Sequence, residues 1–209
     1  MIVLSHRGYW KTADEKNTPV AFHRSFSLGF GTETDIRDYN GDLVISHDIA
    51  NANCIKFTEF LEIYSQYDKS LPLALNIKAD GLQALLKSYL EQYNITSYFL
   101  FDMSVPDHIQ YTKTNLTTFT RQSEYEIECP LYDESAGVWL DEFKGHWIDE
   151  AVISQHQLNN KQICIVSPDL HKRAYTHEWE NYKHMGEQMN TVMLCTDYPE
   201  EAKTFFHEN

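Results

Sequence analysis

The sequence predicts an α/β protein built as a compact (β/α)8 TIM barrel, and three observations support this prediction. Short apolar runs of about four to eight residues recur along the chain, as in strands that are covered on both faces. Segments with apolar residues three and four positions apart lie between several of these runs, which favours βαβ units and a parallel sheet. About eight core strands in 209 residues match a barrel at the small end of the usual size range. A doubly wound open sheet is the alternative, but the Gly-x-Gly-x-x-Gly turn of its nucleotide-binding form is lacking.

Each predicted element follows from its local pattern. Helices are predicted over Phe57–Tyr67, with Thr58 at or near the N-cap, and over Leu82–Tyr93, because their apolar residues recur at helical spacing. The predicted strands are Ile2–Ser5, Gly31–Asp35, Leu43–Ser46, Leu71–Ile77, Tyr98–Phe101, Thr117–Thr120, Gly137–Leu140, Gln162–Val166 and Thr191–Cys195.

One turn is specified by its residues. Asn40-Gly41 lies between two apolar runs, a pattern that predicts a tight hairpin. Such a hairpin brings Glu33, Asp35 and His47 near one another at one edge of the sheet. The chain has no repeat, linker or low-complexity tract, so we predict a single domain over residues 1–209.

Composition limits the class of partner. The net charge of −14 argues against a large nucleic-acid interface, which needs clustered Lys and Arg, and a phosphate substrate would need locally placed positive charge. No apolar run approaches the roughly 18 residues of a membrane span, and the start lacks a secretory signal pattern. Cys164 and Cys195 lie inside apolar runs and are interpreted as core residues. We therefore expect a cytoplasmic protein that acts on a small molecule, in an oligomeric state that the sequence does not indicate.

Two carboxylates form the first candidate for a functional site. Glu33 and Asp35 are two residues apart in a predicted strand, so their side chains project from the same face. Carboxylates in this arrangement repel each other unless a cation lies between them or one is protonated. Their oxygen atoms suit a hard cation such as Mg²⁺ or Ca²⁺. The alternative is a solvent-facing acidic pair on an edge strand.

Two histidines form the second candidate. His6 and His47 each follow a short apolar run, and a histidine can give or take a proton near neutral pH. Two histidines on opposite sides of a phosphorus centre would form an acid/base pair, with Arg7 and Asp48 to orient them or to bind phosphate. The alternative for either histidine is a structural or surface role, since the chain has ten.

Taken in order, these residues resemble the glycerophosphodiester phosphodiesterase family over residues 3–48. A weaker resemblance lies at the far end of the chain, where Leu194 to Pro199 is similar to the family's closing strand and its Thr-Asp-x-Pro turn. The middle of the chain is only loosely similar. The residues that carry the main resemblance are His6-Arg7-Gly8, Glu15-x-Asn17-Thr18, Phe22, Gly29, Glu33-x-Asp35, Asp42 and His47-Asp48.

The resemblance implies a TIM-barrel phosphodiesterase with one bound divalent cation, Mg²⁺ or Ca²⁺. By this resemblance His6 and His47 are the general acid and base, and Arg7 contacts phosphate. Glu33 and Asp35 are the first two metal ligands. In such enzymes a neighbouring glycerol hydroxyl can attack first and give a cyclic phosphate, which water then opens.

One departure from the family pattern concerns the third metal ligand. The family carries Glu-x-Lys on its third barrel strand, where this chain has Asn76-Ile-Lys78. Lys78 is retained and is expected to bind phosphate. Asn76 can still offer an amide oxygen to a cation, but without negative charge. The carboxylates that could replace the lost charge, because they follow other apolar runs, are Asp102, Asp141 and Glu142.

Further residues fall where barrel loops are expected. Trp139 could form an aromatic wall of a substrate site, and His171 and Arg173 could contact phosphate or hydroxyl groups. The alternative is a core tryptophan and an ordinary helix start. Two functions therefore remain: a metal-dependent hydrolase, or a lyase that stops at the cyclic product, and a catalytically weak or inactive barrel that binds a phosphorylated small molecule. A different phosphate-handling barrel enzyme, such as an isomerase, would leave the paired histidines unexplained.

Overall fold

The computed structural model describes residues 1–207 and contains eight parallel strands that alternate with helices. This is the (β/α)8 barrel that the sequence predicts. The strands are β1 Ile2–His6, β2 Gly31–Tyr39, β3 Asp42–Ile45, β4 Leu73–Ile77, β5 Tyr98–Phe101, β6 Phe119–Ser123, β7 Gly137–Asp141, β8 Gln162–Val166 and β9 Met193–Thr196. The helices are α1 Pro19–Ser27, α2 Phe57–Tyr64, α3 Gln83–Gln92, α4 Val105–Thr112, α5 Glu150–Leu158, α6 Thr176–His184 and α7 Pro199–His207.

The chain divides into two compact units. Ser5–Thr118 forms the first, called here the N-terminal unit. Met1–Leu4 together with Phe119–Asn209 forms the second, called here the C-terminal unit. The predicted single domain over residues 1–209 stays a prediction.

In the N-terminal unit, β2 pairs in parallel with β4, and β4 pairs in parallel with β5. The register sets Asp35 of β2 beside Asn76 of β4, and Asn76 beside Phe101 of β5. The added strand β3 pairs antiparallel with β2 through the predicted hairpin, in which Asn40 and Gly41 have φ of 51° and 82°. Positive φ at both residues is what a type I′ turn requires.

The core of the N-terminal unit packs the apolar faces of its helices against the strands. Phe22 of α1 meets Phe60 of α2 edge-on at 4.7 Å between ring centroids, and both side chains are fully buried. Helix α2 begins at Phe57, as predicted, and ends at Tyr64 rather than Tyr67; its N-cap is Lys56, two residues before Thr58, which was predicted to lie at or near the cap. Lys56 makes no side-chain cap, and packing of the apolar face determines where this helix starts.

In the C-terminal unit, β6, β7, β8 and β9 pair in parallel in that order. Trp179 and Tyr182 of α6 are its largest fully buried side chains. Cys164 and Cys195 are fully buried within β8 and β9, as predicted from their apolar surroundings. Over residues 1–207, none of the helices combines the length and the apolar character needed to span a membrane.

Candidate active site

The carboxylate pair lies in the half of β2 that is buried. Glu33 is 2% exposed and Asp35 is fully buried, so the alternative of a solvent-facing acidic pair does not describe them. Asp35 lies between two cationic groups: Nε of Arg7 is 3.0 Å from Oδ2, and Nζ of Lys78 is 3.4 Å from Oδ1. The positive charge that an acidic protein needs for a phosphate is thus present locally.

Asn17 fixes the orientation of Asp35. Its Nδ2 donates to Oδ2 of Asp35 at 2.8 Å, and its Oδ1 accepts from the hydroxyl of Thr34 at 2.8 Å. The backbone N–H of Asn17 donates to the carbonyl of Arg7 at 2.9 Å, which ties this loop to the end of β1. Asn17 is part of the sequence motif that carries the resemblance, but the motif alone indicated no role for it. Its φ of 58° is a left-handed value that Asn tolerates better than most residues.

The turn after β1 holds Arg7 over the carboxylates in a strained conformation. Arg7 has a φ of 59°, which is uncommon for a residue with a side chain, and the following Gly8 has a φ of 76°. The backbone N–H of Arg7 donates to the carbonyl of Glu33 at 2.9 Å and to Oε2 of Glu33 at 3.2 Å. Gly8 leaves no room for a Cβ, which would lie 2.8 Å from Cβ of Ala21. This strained turn is therefore held by its neighbours, as in many functional sites.

Burial changes the acidity of Glu33. Loss of water around the carboxyl, and then the nearby charge of Asp35, raise its pKa to about 8, against the opposing effects of Arg7 and Lys78. A carboxyl of this kind is protonated near neutral pH unless a cation joins it. Protonation of Glu33 removes the repulsion between the two carboxylates, which is one of the two ways in which such a pair can lie side by side.

Several polar atoms near Asp35 are buried without an aligned hydrogen-bond partner. They include Oδ1 of Asp35, Oδ1 of Asn76 and Nε of Arg7. Nδ2 of Asn76 donates to Oδ2 of Asp102 at 3.1 Å, so the amide oxygen of Asn76 is turned away from that carboxylate. Buried acceptors without donors are costly, and their presence on adjacent strands suits a bound cation.

The donor set Glu33, Asp35 and Asn76 therefore fits a hard divalent cation chemically, with two carboxylates and one amide oxygen. Within residues 1–207, three or more His, Cys, Asp or Glu side chains do not gather into a metal-binding group. Asn76 contributes an amide at the position where the sequence resemblance leads one to expect a third carboxylate.

His6 lies beside the carboxylate pair. Its Nε2 is 3.9 Å from Oε2 of Glu33, and its side chain is 15% exposed. The backbone carbonyl of His6 accepts from Nε1 of Trp10 at 3.1 Å, which fixes the turn that carries it.

His47 lies in a more open setting, on the loop after β3. Its Nδ1 is 2.9 Å from Oδ1 of Asp48, and the hydrogen bond from His47 lowers the pKa of this exposed carboxyl. His47 lines a cleft of about 480 Å³ together with Arg7, Lys16 and Asn17. Three basic side chains in one cleft make it suitable for an anionic group.

The C-terminal unit contains the remaining sequence-predicted residues. Nε2 of His171 lies 2.5 Å from Oδ1 of Asp141, the last residue of β7. Glu142 is fully buried, and its carboxylate accepts from the backbone N–H groups of Trp147 and Ile148 and from the hydroxyl of Tyr182. Both carboxylate oxygens of Glu142 therefore already accept hydrogen bonds within the protein. Trp139 is only 4% exposed, which leaves little surface for the predicted aromatic wall.

Arg173, a candidate substrate contact in the sequence, donates its hydrogen bonds to other residues of the protein. Its Nη1 donates to the carbonyl of Glu142 at 2.6 Å, and its Nη2 donates to Glu178 at 3.0 Å. These two contacts hold the segment after β8 against α6. Of the three carboxylates considered as replacements at position 76, Asp102 is the one that bonds to Asn76.

The fold and the residues at the carboxyl ends of its strands define a class: a (β/α)8 barrel with charged side chains and histidines at the end where barrel enzymes have their active sites. Solved structures with this fold include a protein from Galdieria sulphuraria assigned as a glycerophosphodiester phosphodiesterase. It has a TM-score of 0.78 and 15% identity, over 98% of this chain and 97% of that chain.

Two further structures are similar. The glycerophosphodiester phosphodiesterase from Agrobacterium tumefaciens has a TM-score of 0.70 and 12% identity, over 99% of this chain and 98% of its own. A Ca²⁺-dependent phosphatidylinositol-specific phospholipase C from Streptomyces antibioticus has a TM-score of 0.60 and 10% identity, over 98% of this chain and 95% of its own. No protein-family model matches the chain, and a search of curated protein sequences finds no significant match. These likenesses show the fold, which is the one predicted from the sequence motif.

Proposed function

We propose that this protein is a phosphodiester hydrolase that acts on a glycerophosphodiester or a similar small phosphodiester, with a divalent cation as cofactor. The observation that carries the proposal is the buried pair Glu33 and Asp35 at β2, met by Arg7 and Lys78 and lined by His6. A phosphodiester carries one negative charge, and this cluster offers the cations and proton-transfer groups that its hydrolysis needs.

In the proposed mechanism, His6 and His47 transfer the protons. Nδ1 of His47 is occupied by Asp48 at 2.9 Å, so Nε2 is the atom that exchanges a proton with the substrate. His6 is the partner on the other side of the phosphorus centre. Arg7 and Lys78 bind the phosphoryl oxygens, and Asn17 keeps Asp35 oriented between them. These groups lower the barrier by holding charge where it develops in the transition state.

The cation would be held by Glu33, Asp35 and Asn76. When bound, a divalent cation polarises the phosphoryl oxygens and lowers the pKa of an attacking hydroxyl. Mg²⁺ and Ca²⁺ both prefer oxygen ligands, and the fold shared with a Ca²⁺-dependent phospholipase C adds support for a cation in this position.

Calorimetry tests the cofactor directly. We expect the wild type to bind Mg²⁺ or Ca²⁺, and Asn76→Glu to bind more tightly because it adds a negative charge beside Glu33 and Asp35. Asp38→Asn is the matched control, because Asp38 is an exposed carboxylate farther along β2. Absence of cation binding to the wild type would refute the metal-dependent proposal.

Turnover tests the chemistry. Glycerophosphocholine, glycerophosphoethanolamine and bis(4-nitrophenyl) phosphate are incubated with the protein and Mg²⁺, Ca²⁺ or Mn²⁺. We expect hydrolysis that is lost in His6→Ala and in His47→Ala. If both variants keep full turnover, the acid/base assignment is wrong.

The second candidate function is a binding protein for a phosphorylated small molecule, with weak or no catalysis. The observation that favours it is the amide of Asn76 where a third carboxylate is expected, since one charge fewer weakens cation binding. Tight binding of glycerol 3-phosphate without turnover of any of the three diesters would support this alternative.

A further inference from the structure

The cleft that His47 lines also contains a lysine that the proposed mechanism does not use. Lys16 lines this cleft of about 480 Å³ together with Arg7 and His47, and all of its lining residues belong to the N-terminal unit. We propose that Lys16 binds a second anionic group, a carboxylate or a phosphate monoester, on the alcohol portion of the substrate. This role rests on the proposed function, because it defines the class of phosphodiester that the same cleft accepts.

The ammonium group of Lys16 has no oxygen partner in the part of the chain that the structure describes. Within residues 1–207 its Nζ makes neither a hydrogen bond nor an ion pair, and it contacts the ring of Trp10 instead. Every other Lys or Arg side chain of residues 5–118 donates to, or forms an ion pair with, an oxygen atom of the protein. In a chain with a net charge of −14, an ammonium group that is left unpaired at a cleft is open to an anion.

Trp10 holds this ammonium group in place. Nζ of Lys16 lies 4.3 Å from the centroid of the indole ring, and Nε1 of Trp10 donates to the carbonyl of His6 at 3.1 Å. A lysine side chain that is already held against a fixed ring loses less freedom when a ligand binds. The same contact places a positive charge on the indole face, where a quaternary ammonium group of a ligand would otherwise bind. The arrangement therefore favours an anionic ligand and disfavours choline.

The backbone of Lys16 lies in a fixed loop next to the carboxylate pair. Lys16 follows the short 3₁₀ helix Ala13–Glu15. The next residue, Asn17, donates from its backbone to the carbonyl of Arg7 at 2.9 Å and from its side chain to Asp35 at 2.8 Å. Lys16 is thus the chain neighbour of a residue that contacts both Arg7 and Asp35. An anion bound by Lys16 would lie in the same cleft as a phosphate bound by Arg7.

The carboxylates closest to Lys16 in the chain and in the cleft are bonded to other groups. Oε2 of Glu15 accepts from Nη1 of Arg24 and from the backbone N–H of Lys11, both at 2.7 Å. Asp48, the carboxylate residue among those that line the cleft, lies 2.9 Å from Nδ1 of His47. Neither carboxylate forms an ion pair with Lys16, so the positive charge of Lys16 remains for a ligand.

Two pairs of diesters test this role, because the members of each pair differ by one anionic group. Glycerophosphoserine has a carboxylate that glycerophosphoethanolamine lacks, and glycerophosphoinositol 4-phosphate has a phosphate that glycerophosphoinositol lacks. We expect the wild type to have a KM about fivefold lower for the anionic member of at least one pair, as for an ion pair that water still reaches. The pair that shows the preference identifies the anion as a carboxylate or a phosphate.

Variants at position 16 assign the preference to the lysine. We expect Lys16→Gln to bring the KM ratio close to one, because it removes the charge and keeps a polar side chain of similar length. Lys16→Arg should keep the preference. Lys11→Gln is the matched control, because Lys11 is an exposed lysine whose Nζ lies 4.0 Å from the centroid of the Tyr9 ring and which is not among the described residues that line the cleft. This control should keep the wild-type ratio.

Salt provides a second readout that a merely structural lysine would not change. We expect the preference of the wild type to shrink as the ionic strength rises, because salt screens an ion pair that is reached by water. Lys16→Gln should show no such dependence. A preference that persists in Lys16→Gln, or that Lys11→Gln loses to the same extent, would overturn the role of Lys16.

The outcomes separate this role from the hydrolase proposal. A wild type that cleaves the diesters with a KM ratio near one for both pairs would overturn the role of Lys16 and leave hydrolysis established. If the wild type cleaves no diester, the hydrolase proposal fails, and calorimetric Kd values for the same four diesters decide the role of Lys16 by the same ratios. A wild type that binds none of the four also overturns it.

Discussion

The two compact units satisfy their buried carboxylates in different ways. In the N-terminal unit, Asp35 is met by the side-chain cations of Arg7 and Lys78, and its Oδ1 has no aligned hydrogen bond. In the C-terminal unit, the carboxylate of Glu142 accepts from two backbone N–H groups and one hydroxyl, and Nδ1 of His146 lies 2.9 Å from its Oε1. A carboxylate whose acceptors are all filled by donors of the protein stabilises the fold, whereas an oxygen without an aligned donor, such as Oδ1 of Asp35, is open to a bound cation.

The two histidine–carboxylate pairs, one in each unit, also differ in how far the carboxylate is buried. Asp48, the partner of His47, is 93% exposed at its side chain, whereas Asp141, the partner of His171, is 6% exposed. A buried partner fixes the tautomer and the direction of the ring more firmly than an exposed one. The imidazole of His171 is therefore held more firmly by its carboxylate than the imidazole of His47 is by Asp48.

The strongest test of this comparison is the loss of His6. We expect His6→Ala to lower the turnover of bis(4-nitrophenyl) phosphate by about 10² to 10⁴, because a positioned acid or base contributes this much to the rate. The melting temperature should change little, since the side chain is partly exposed. His23→Ala, which removes a histidine of α1 bonded to Tyr67, is the control and should keep its turnover.

A large loss of stability is expected at Asp35. Asp35→Asn leaves Arg7 and Lys78 without their buried partner, and breaking such a pair costs about 3 kcal/mol. Urea unfolding of the two proteins measures the difference. An unchanged free energy of unfolding would mean that the two cations have another partner and that the comparison with Glu142 does not hold.

A smaller loss is expected at Glu142. Glu142→Gln keeps one oxygen for the backbone donors but presents an amide to the hydroxyl of Tyr182, and the lost hydrogen bond costs about 1–2 kcal/mol. Turnover should stay at the wild-type level when the protein is folded. A drop in turnover at constant stability would contradict the structural role assigned to this residue.

The smallest expected effect is a pH dependence from His156. Burial, and then the charge of Lys161, lower the pKa of this histidine below its usual 6.5. The unfolded chain therefore binds a proton at a higher pH than the folded chain does. Stability from this group is present above about pH 6.5 and is lost as the pH falls through the lower folded pKa. His156→Gln should show a flatter stability profile between pH 7 and pH 5, as measured by thermal unfolding. An identical slope in both proteins would contradict this role.

Much of the fold could be predicted because its signals are local. The apolar runs of β5 and β8 gave their bounds without error, and Asn40-Gly41 gave the hairpin. Strand β2 was predicted to end at Asp35 but runs to Tyr39, because pairing with β3 extends it beyond its apolar part. The start of α2 at Phe57 was predicted correctly, although its N-cap, Lys56, makes no side-chain hydrogen bond and packing determines where that helix starts.

The sequence by itself determined the position of the candidate site, since Glu33 and Asp35 project from one face through the geometry of a strand alone. It also determined that position 76 is an amide. Only the tertiary structure decided which side chains form hydrogen bonds with one another. These pairs are Asn17 with Asp35, Asn76 with Asp102, and His171 with Asp141. The partners in these contacts are 18, 26 and 30 residues apart in the chain. Local periodicity carries no information at such separations, and the contacts form because the pairing of parallel strands brings their carboxyl ends together.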